Sequence, residues 1–332
     1  MASVAVLGAA GYAGAIAAAL LHRHPELELS HVTARADAGR RLSDVHPRSR
    51  VPLRLEDYDA DRHGEVDAAL VAYPHGASAP VVAGLRERGV KVVDLSADFR
   101  LDDLGVYQEW YGEHGARTHF GTGVYGLPEL HRDAIAQAGL VANPGCYPTA
   151  ALLGLAPLAR AGELADVVID AKSGVSGAGR GATETTHFVS ADENVVPYKV
   201  GAHRHTPEIE QELGRLGAEV RITFTPHLVP LAQGELVSAY VTPSRPIEWV
   251  ELRALYADAY ASEPWVEVVD APPGVLEVRD TNFCRISVHA DPRSGRVIVF
   301  AAIDNLWKGA ASQAVQNLNL MLGLPESAGL NA

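Results

Sequence analysis

The first 33 residues constrain the fold more than any other stretch of the chain. An apolar strand from Ser3 to Leu7 runs into Gly8-Ala9-Ala10-Gly11-Tyr12-Ala13-Gly14, a helical pattern follows from about Tyr12 to His24, and a second strand lies near Leu29 to Thr33. This is a βαβ unit, which needs a parallel sheet and a crossover helix. The alternation continues with a strand over Asp67 to Ala72, a helix within Ala77 to Arg88 and a strand over Val90 to Leu95. The first half is therefore expected to be an α/β domain, a Rossmann-like doubly wound parallel sheet.

Glycines between a strand and a helix let backbone N–H groups approach a pyrophosphate. Gly8, Ala10, Gly11, Tyr12, Ala13 and Gly14 are the expected dinucleotide loop, although the spacing is GxxGxxG and not GxGxxG, so position carries the assignment. The end of the second strand selects the cofactor. An acidic residue there would bond the ribose 2′-hydroxyl of NAD. Here the chain reads Thr33-Ala34-Arg35, whose hydroxyl and guanidinium suit a 2′-phosphate and so NADP(H), while Asp37 keeps NAD open. Arg40 and Arg41 read as solvated loop charges.

Cys146 sits in Asn143-Pro144-Gly145-Cys146-Tyr147-Pro148-Thr149, directly before an apolar helical run. Pro148 is tolerated in a first helical turn, where unpaired N–H groups and the helix dipole favour a thiolate. Beyond this point strands are expected at Val167 to Ala171, Val220 to Thr225, Leu236 to Thr242, Cys284 to Ala290 and Arg296 to Ile303, several without intervening helices. They suggest an α+β domain with a largely antiparallel sheet. A last helix from Lys308 to Leu322 buries Ala311, Ala314, Val315, Leu318 and Leu322 at helical spacing.

Composition limits the function classes. The chain has 332 residues with 47% hydrophobic content, enough for two domains, and its two cysteines cannot make a disulfide framework. No signal-peptide order or membrane-length apolar run is present, so a cytoplasmic location is expected. A formal charge of −13 argues against nucleic acid or an anionic membrane as partner, but permits a small anionic substrate.

Two further segments carry chemistry. His203-Arg204-His205-Thr206-Pro207 places His205 beside an expected N-cap at Thr206, with Pro207 at the first helical position. A histidine fixed there suits acid/base work near neutral pH. Lys172-Ser173-Gly174-Val175-Ser176-Gly177-Ala178-Gly179-Arg180-Gly181 follows a strand and offers hydroxyls, glycine N–H groups and two cations to a phosphate. No metal is expected: the His-Arg-His segments at His22 to His24 and His203 to His205 lack supporting ligands, and Cys284 reads as core.

Together these segments resemble the N-acetyl-gamma-glutamyl-phosphate reductase family of the semialdehyde dehydrogenase superfamily. The resemblance runs through GAAGYAG at Gly8 to Gly14, DLSADFR at Asp94 to Arg100, NPGCYPTA at Asn143 to Ala150, SGVSGAGR at Ser173 to Arg180, HRHTPEI at His203 to Ile209, and IDNLWKGAASQAVQNLN at Ile303 to Asn319. It implies an NADP-binding domain over residues 1–145, completed by a C-terminal helix over 305–323, and a catalytic and oligomerisation domain over 146–304. It implies Cys146 as nucleophile, His205 as acid/base, and a cofactor site of Ala10 to Gly14, Thr33 to Arg35, Ser176, Gly177 and Asn305. Arg100, Ser173, Arg180 and Arg204 are the candidates for substrate and phosphate.

The implied reaction is NADPH-dependent reductive dephosphorylation of N-acetyl-L-glutamyl 5-phosphate in arginine biosynthesis, through a cysteine thioester, by a homodimer or homotetramer. Aspartyl phosphate and carrier-bound aminoadipyl phosphate are the alternative substrates, and a non-catalytic NADP-binding sensor is the alternative class. One departure stands out. Family members commonly read Met-x-Arg-Gly where this chain has Leu231-Ala232-Gln233-Gly234, so an expected cation is missing.

Overall fold

The computed structural model describes residues 1–330, which divide into two compact units: residues 1–145 with 310–330, and residues 146–309. The first unit holds a six-stranded sheet of β1 (Ala2–Leu7), β2 (Leu27–Thr33), β3 (Ala68–Val71), β4 (Lys91–Asp94), β5 (Val124–Tyr125) and β6 (Leu140–Ala142), in the order β2-β1-β3-β4-β6-β5. Every pairing is parallel, as the βαβ pattern requires. The first helix spans Tyr12–His22 and buries Ala15, Ala17, Ala18, Leu20 and Leu21. The order reverses between β1 and β3, where such sheets bind ligands beyond the carboxyl ends of their strands.

The Asp94 to Arg100 motif is a buried polar network that holds this end of the sheet. Asp94 accepts from the hydroxyls of Ser78 (2.5 Å) and Ser96 (2.6 Å). Asp98 accepts from the N–H groups of Gly76 (2.7 Å) and Ala79 (3.0 Å) and from the Tyr107 hydroxyl (2.9 Å). Arg100 donates to the carbonyls of Asn143 and Leu95. The last helix, Ser312–Met321, belongs to this unit: Gln313 and Asn317 both donate to the Gly126 carbonyl, and Asn319 meets His24 Nε2 at 3.0 Å. It begins later than its apolar pattern suggests, because Trp307–Ala311 winds as a π turn first.

The second unit carries a seven-stranded sheet: β7 (Asp166–Gly174), β8 (Val196–Pro197), β9 (Ile222–Val229), β10 (Glu235–Thr242), β11 (Val266–Val268), β12 (Cys284–Asp291) and β13 (Arg296–Ile303). The order is β11-β12-β13-β10-β7-β9-β8. The β10–β13, β10–β7, β12–β13 and β8–β9 pairs are antiparallel, while β7–β9 and β11–β12 are parallel. The sheet is largely antiparallel, as expected; Thr206–Arg215 lies in the connection between the parallel strands β7 and β9, and the connection between β11 and β12 carries the Val275–Glu277 turn. A parallel pair cannot be closed by a tight turn.

Behind this sheet runs the helix Cys146–Arg160, buried at every position from Tyr147 to Ala159 and packed on β10, β13 and the Thr206–Arg215 helix. Pro157 sits inside it and lacks the N–H that would reach the Leu153 carbonyl. The Tyr260 hydroxyl donates to that carbonyl instead, and the Tyr256 hydroxyl donates to the next, on Gly154.

Replacing Asp98 by Ala strands the N–H groups of Gly76 and Ala79 and the Tyr107 hydroxyl. At ~1–3 kcal/mol for a buried donor left unpaired, urea unfolding is expected to show a loss of roughly 3 kcal/mol or more.

Candidate active site

In the first unit the glycine loop is built by contact as well as conformation. Gly8 has φ +90°, and a Cβ on it would lie 2.6 Å from the Ala72 carbonyl oxygen; a Cβ on Gly14 would lie 2.4 Å from the Gly8 oxygen. No side chain caps the Tyr12–His22 helix at Gly11, so its first N–H groups face an anion site with no competing carboxylate. His46, missed in the sequence, donates from Nε2 to the Ala10 carbonyl at 2.9 Å and meets the Tyr12 ring edge-on.

Thr33 is fully buried, and its hydroxyl accepts from Gly8 N–H (3.3 Å) and meets the Tyr73 hydroxyl (3.2 Å), so it braces the loop. Asp37, the residue that kept NAD open, pairs with Arg40 at 2.6 Å. Arg35 is exposed one residue beyond Ala34. These features fit a dinucleotide with an extra phosphate at the ribose.

In the second unit Cys146 opens the Cys146–Arg160 helix, half-buried, at the helix's positive end. Tyr147 is buried behind it and donates its hydroxyl to the His227 carbonyl (3.3 Å) while accepting from Tyr198 (3.3 Å). The rings of His203 and His205 stand edge-on to Tyr147, with centroids at 5.6 and 5.9 Å. His203 Nδ1 accepts the His205 N–H (3.2 Å), and burial with the nearby Lys199 and Arg204 pushes His203 down to about 4, so it stays neutral. His205 itself is the N-cap of the Thr206–Arg215 helix, one residue before the expected Thr206, because Thr206 already adopts helical geometry.

Asn305 is spent within this unit. Its Oδ1 accepts the Gly234 N–H (2.7 Å) and its Nδ2 donates to the Ser176 hydroxyl (3.0 Å), which fastens the Val175–Ala178 turn. Ser173 is buried on β7 and donates to the Gly174 carbonyl; Gly177 is exposed nearby. Arg180 and Arg204 are exposed, whereas Arg100 lies in the first unit with the carbonyls described above. Packing behind the thiol is tight, since a Cβ on Gly309 would lie 2.8 Å from Cys146 Cβ.

Nothing in the local sequence pattern singles out Glu235. It is fully buried at the start of β10, where it pairs across the sheet with Ser173 and Ile303. Loss of solvent, with Asp304 nearby, pushes it up to about 8 from its ordinary 4.5.

Residues 3–138 match the family model described as semialdehyde dehydrogenase, NAD binding domain, and residues 146–305 match semialdehyde dehydrogenase, dimerisation domain. N-acetyl-gamma-glutamyl-phosphate reductases from Moorella thermoacetica and Desulforudis audaxviator are 49% and 50% identical to this chain, covering 99% of it and 98% of each relative. This chain belongs to the N-acetyl-gamma-glutamyl-phosphate reductase family. It is an NADP-dependent oxidoreductase of arginine biosynthesis that converts N-acetyl-L-glutamyl 5-phosphate to the 5-semialdehyde. The fold also matches aspartate semialdehyde dehydrogenase II from Vibrio cholerae, with TM-score 0.75 at 19% identity over 97% of this chain and 98% of that one. An aspartate semialdehyde dehydrogenase with NADP from Candida albicans matches with TM-score 0.73 at 15% identity, over 97% and 98%. At such identities the likeness concerns the fold alone.

The family's missing arginine has a structural counterpart. Gln233 Nε2 donates to Asp280 Oδ1 and Asp304 Oδ2, each at 2.8 Å, and Arg279 donates to the Gln233 carbonyl at 3.0 Å. Among the described residues no helix is long and apolar enough to cross a membrane.

Glu235 yields a stability test. Between about 4.5 and about 8 the native state keeps a proton that the unfolded chain has released, so stability falls as pH rises through that window. Glu235→Gln is expected to flatten this slope in thermal unfolding measured from pH 5 to pH 9; an unchanged slope would place the proton elsewhere.

Proposed function

We propose that Cys146 is the nucleophile of the reductase reaction and His205 its acid/base group. The observation that carries this is a thiol at the open end of a long buried helix, with His205 held against the next residue of that helix through Tyr147. Cys146 attacks the acyl carbon of the substrate and expels phosphate, leaving a thioester. Bound NADPH supplies the hydride. His205 protonates the tetrahedral oxygen that results and takes the proton back as the aldehyde forms and sulfur leaves.

His205 gains its orientation from the Thr206–Arg215 helix that it precedes and from the His203 ring, which stands edge-on to it at 4.8 Å. Gly8 to Gly14 hold the pyrophosphate, and Arg35 holds the 2′-phosphate, with Asp37 neutralised by Arg40. Ser176, Gly177 and Arg180, in and just after the turn over Val175–Ala178, are the candidates for phosphate and cofactor, and Arg204 is the nearest cation in sequence to His205.

The active form is a homodimer or homotetramer in the cytoplasm, assembled through the second unit. Phe188, Val189, Val195 and Val200 are all more than half exposed there, an apolar group that a second copy of the chain would cover.

Cys146→Ser is expected to abolish turnover while NADPH still binds by fluorescence titration; appreciable reductase activity in that variant would remove the nucleophile. Arg35→Asp is expected to lose the preference for NADPH over NADH, read as the ratio of the two kcat/KM values. An unchanged ratio would place the 2′-phosphate elsewhere.

A further inference from the structure

His31, Glu56 and His63 form a cluster in the first unit that the reductase reaction leaves without a task. Three separate pieces of chain bring them together. His31 is on β2, the edge strand of the six-stranded sheet, just past a one-residue bulge at Ser30 in the β1–β2 pairing, and such a bulge re-aims the side chains beside it. Glu56 lies along the outer edge of that strand: its N–H donates to the Val32 carbonyl at 3.0 Å, and its carbonyl accepts from the Ala34 N–H at 2.9 Å. His63 ends the short helix Ala60–His63, whose first N–H groups are capped by the Asp59 carboxylate.

Glu56 Oε2 lies 3.0 Å from His63 Nε2 and 3.4 Å from His31 Nδ1, and one atom from each side chain falls within 4.8 Å of the other two. Around a tetrahedral zinc ion with bonds of ~2.0–2.2 Å, neighbouring ligand atoms stand ~3.4 Å apart. Small rotations of the two rings therefore bring the three atoms to that spacing. His31 Nδ1 is buried and completes no hydrogen bond, which is rare for a polar atom out of water. Burial holds this imidazole below its ordinary value against the pull of Glu56, so it keeps the neutral form whose lone pair a metal takes.

The neighbours of the cluster orient it. Arg62 donates to Glu56 Oε1 at 2.9 Å, which leaves Oε2 turned to the two histidines. The Tyr58 ring stacks on His63 with centroids 5.7 Å apart. The Asp59 backbone offers His63 Nδ1 both a carbonyl at 2.8 Å and an N–H at 2.9 Å, so either tautomer of the ring is accommodated. With the proton on Nε2, that nitrogen donates to Glu56 and Nδ1 accepts the Asp59 N–H. With the proton on Nδ1, it donates to the Asp59 carbonyl and Nε2 presents its lone pair, the arrangement that ligating histidines ordinarily adopt.

We propose that His31 Nδ1, Glu56 Oε2 and His63 Nε2 bind a zinc ion, with water as the fourth ligand. Two imidazoles and one carboxylate suit zinc, and they lack the oxygen count that calcium or magnesium needs. His63 is buried, whereas His31 and Glu56 are partly exposed, so ion and water have a way in. The ion works as a clip. A four-residue helix is too short to persist alone, and zinc joins Ala60–His63 and the stretch at Glu56 to β2, the strand that leads into Thr33, Ala34 and Arg35. No step of the reductase reaction passes through this site, and the proposal stands apart from the roles of Cys146 and His205.

The experiment titrates zinc by calorimetry into the full chain carrying Cys146→Ser, stripped of metal with a chelator, so that the half-buried thiol contributes no ligand. The same chain with His31→Asn, Glu56→Gln or His63→Gln added is titrated beside it. The parent is expected to bind one equivalent, and each added substitution is expected to weaken binding by ~10-fold or more, since even the hydrogen-bond partners of metal ligands are worth that much. Zinc is also expected to raise the thermal unfolding midpoint of the parent and to leave that of His31→Asn where it is. A parent that takes up no zinc overturns the site, as does undiminished affinity in the histidine variants. If the histidine variants fail to fold, Glu56→Gln decides, because it keeps the volume and backbone bonds of Glu56: weakened zinc binding supports the site, and wild-type affinity overturns it.

Discussion

The second unit depends on a helix that has almost no surface. Cys146–Arg160 is lined by Ala, Leu and Gly and carries no charge before Arg160, so it is stable only as a core element pressed on β10, β13 and the neighbouring helix. That burial fixes where its first turn ends and hence where the sulfur sits. Apart from Tyr147 and Thr149 the helix brings no polar side chain to its own first turn, so other elements supply the ionisable groups of this region: Glu235 on β10, His203 and His205 before the Thr206–Arg215 helix, and Asp304 after β13. Even the proline inside the helix conforms, because Tyr260 takes the carbonyl that Pro157 releases.

The helix end at Cys146 favours negative charge by up to ~2 kcal/mol in a partly buried setting. Loss of solvent holds the Glu235 carboxyl protonated up to about 8, so below that pH this acid adds no negative charge to the interior of the second unit.

Much of this was legible in the chain before any coordinates. The N-terminal parallel sheet followed from a strand, a glycine turn and a helix at the spacing of a βαβ unit, and the resemblance to the reductase family rested on motifs whose side chains the structure brings into two networks. The losses have physical causes. β5 and β6 have two and three residues, too few for a periodic signal. The Trp249–Tyr260 helix buries only Leu252, Tyr256 and Tyr260, a narrow stripe among exposed residues. The bracing of the glycine loop by the Thr33 hydroxyl has no counterpart in the one-dimensional pattern, because its partners, Gly8 and Tyr73, lie 25 and 40 residues away. Glu235 was invisible because one acidic residue in an alternating strand looks like an outward position, and only the β7 and β13 neighbours enclose it.

Gln233 and Glu235 then become parts of one electrostatic fact. A guanidinium at position 233 would stand between Asp280 and Asp304 and offset both; the amide donates to both and offsets neither. Asp304 therefore keeps its full effect on Glu235, which it helps to hold in the protonated form. Arg279 does not restore the balance through a carboxylate, since the bond it makes at this corner is to the Gln233 carbonyl. A guanidinium at 233 would draw Glu235 toward the carboxylate, so the neutral residue at 233 and the protonated buried acid two positions later suit each other.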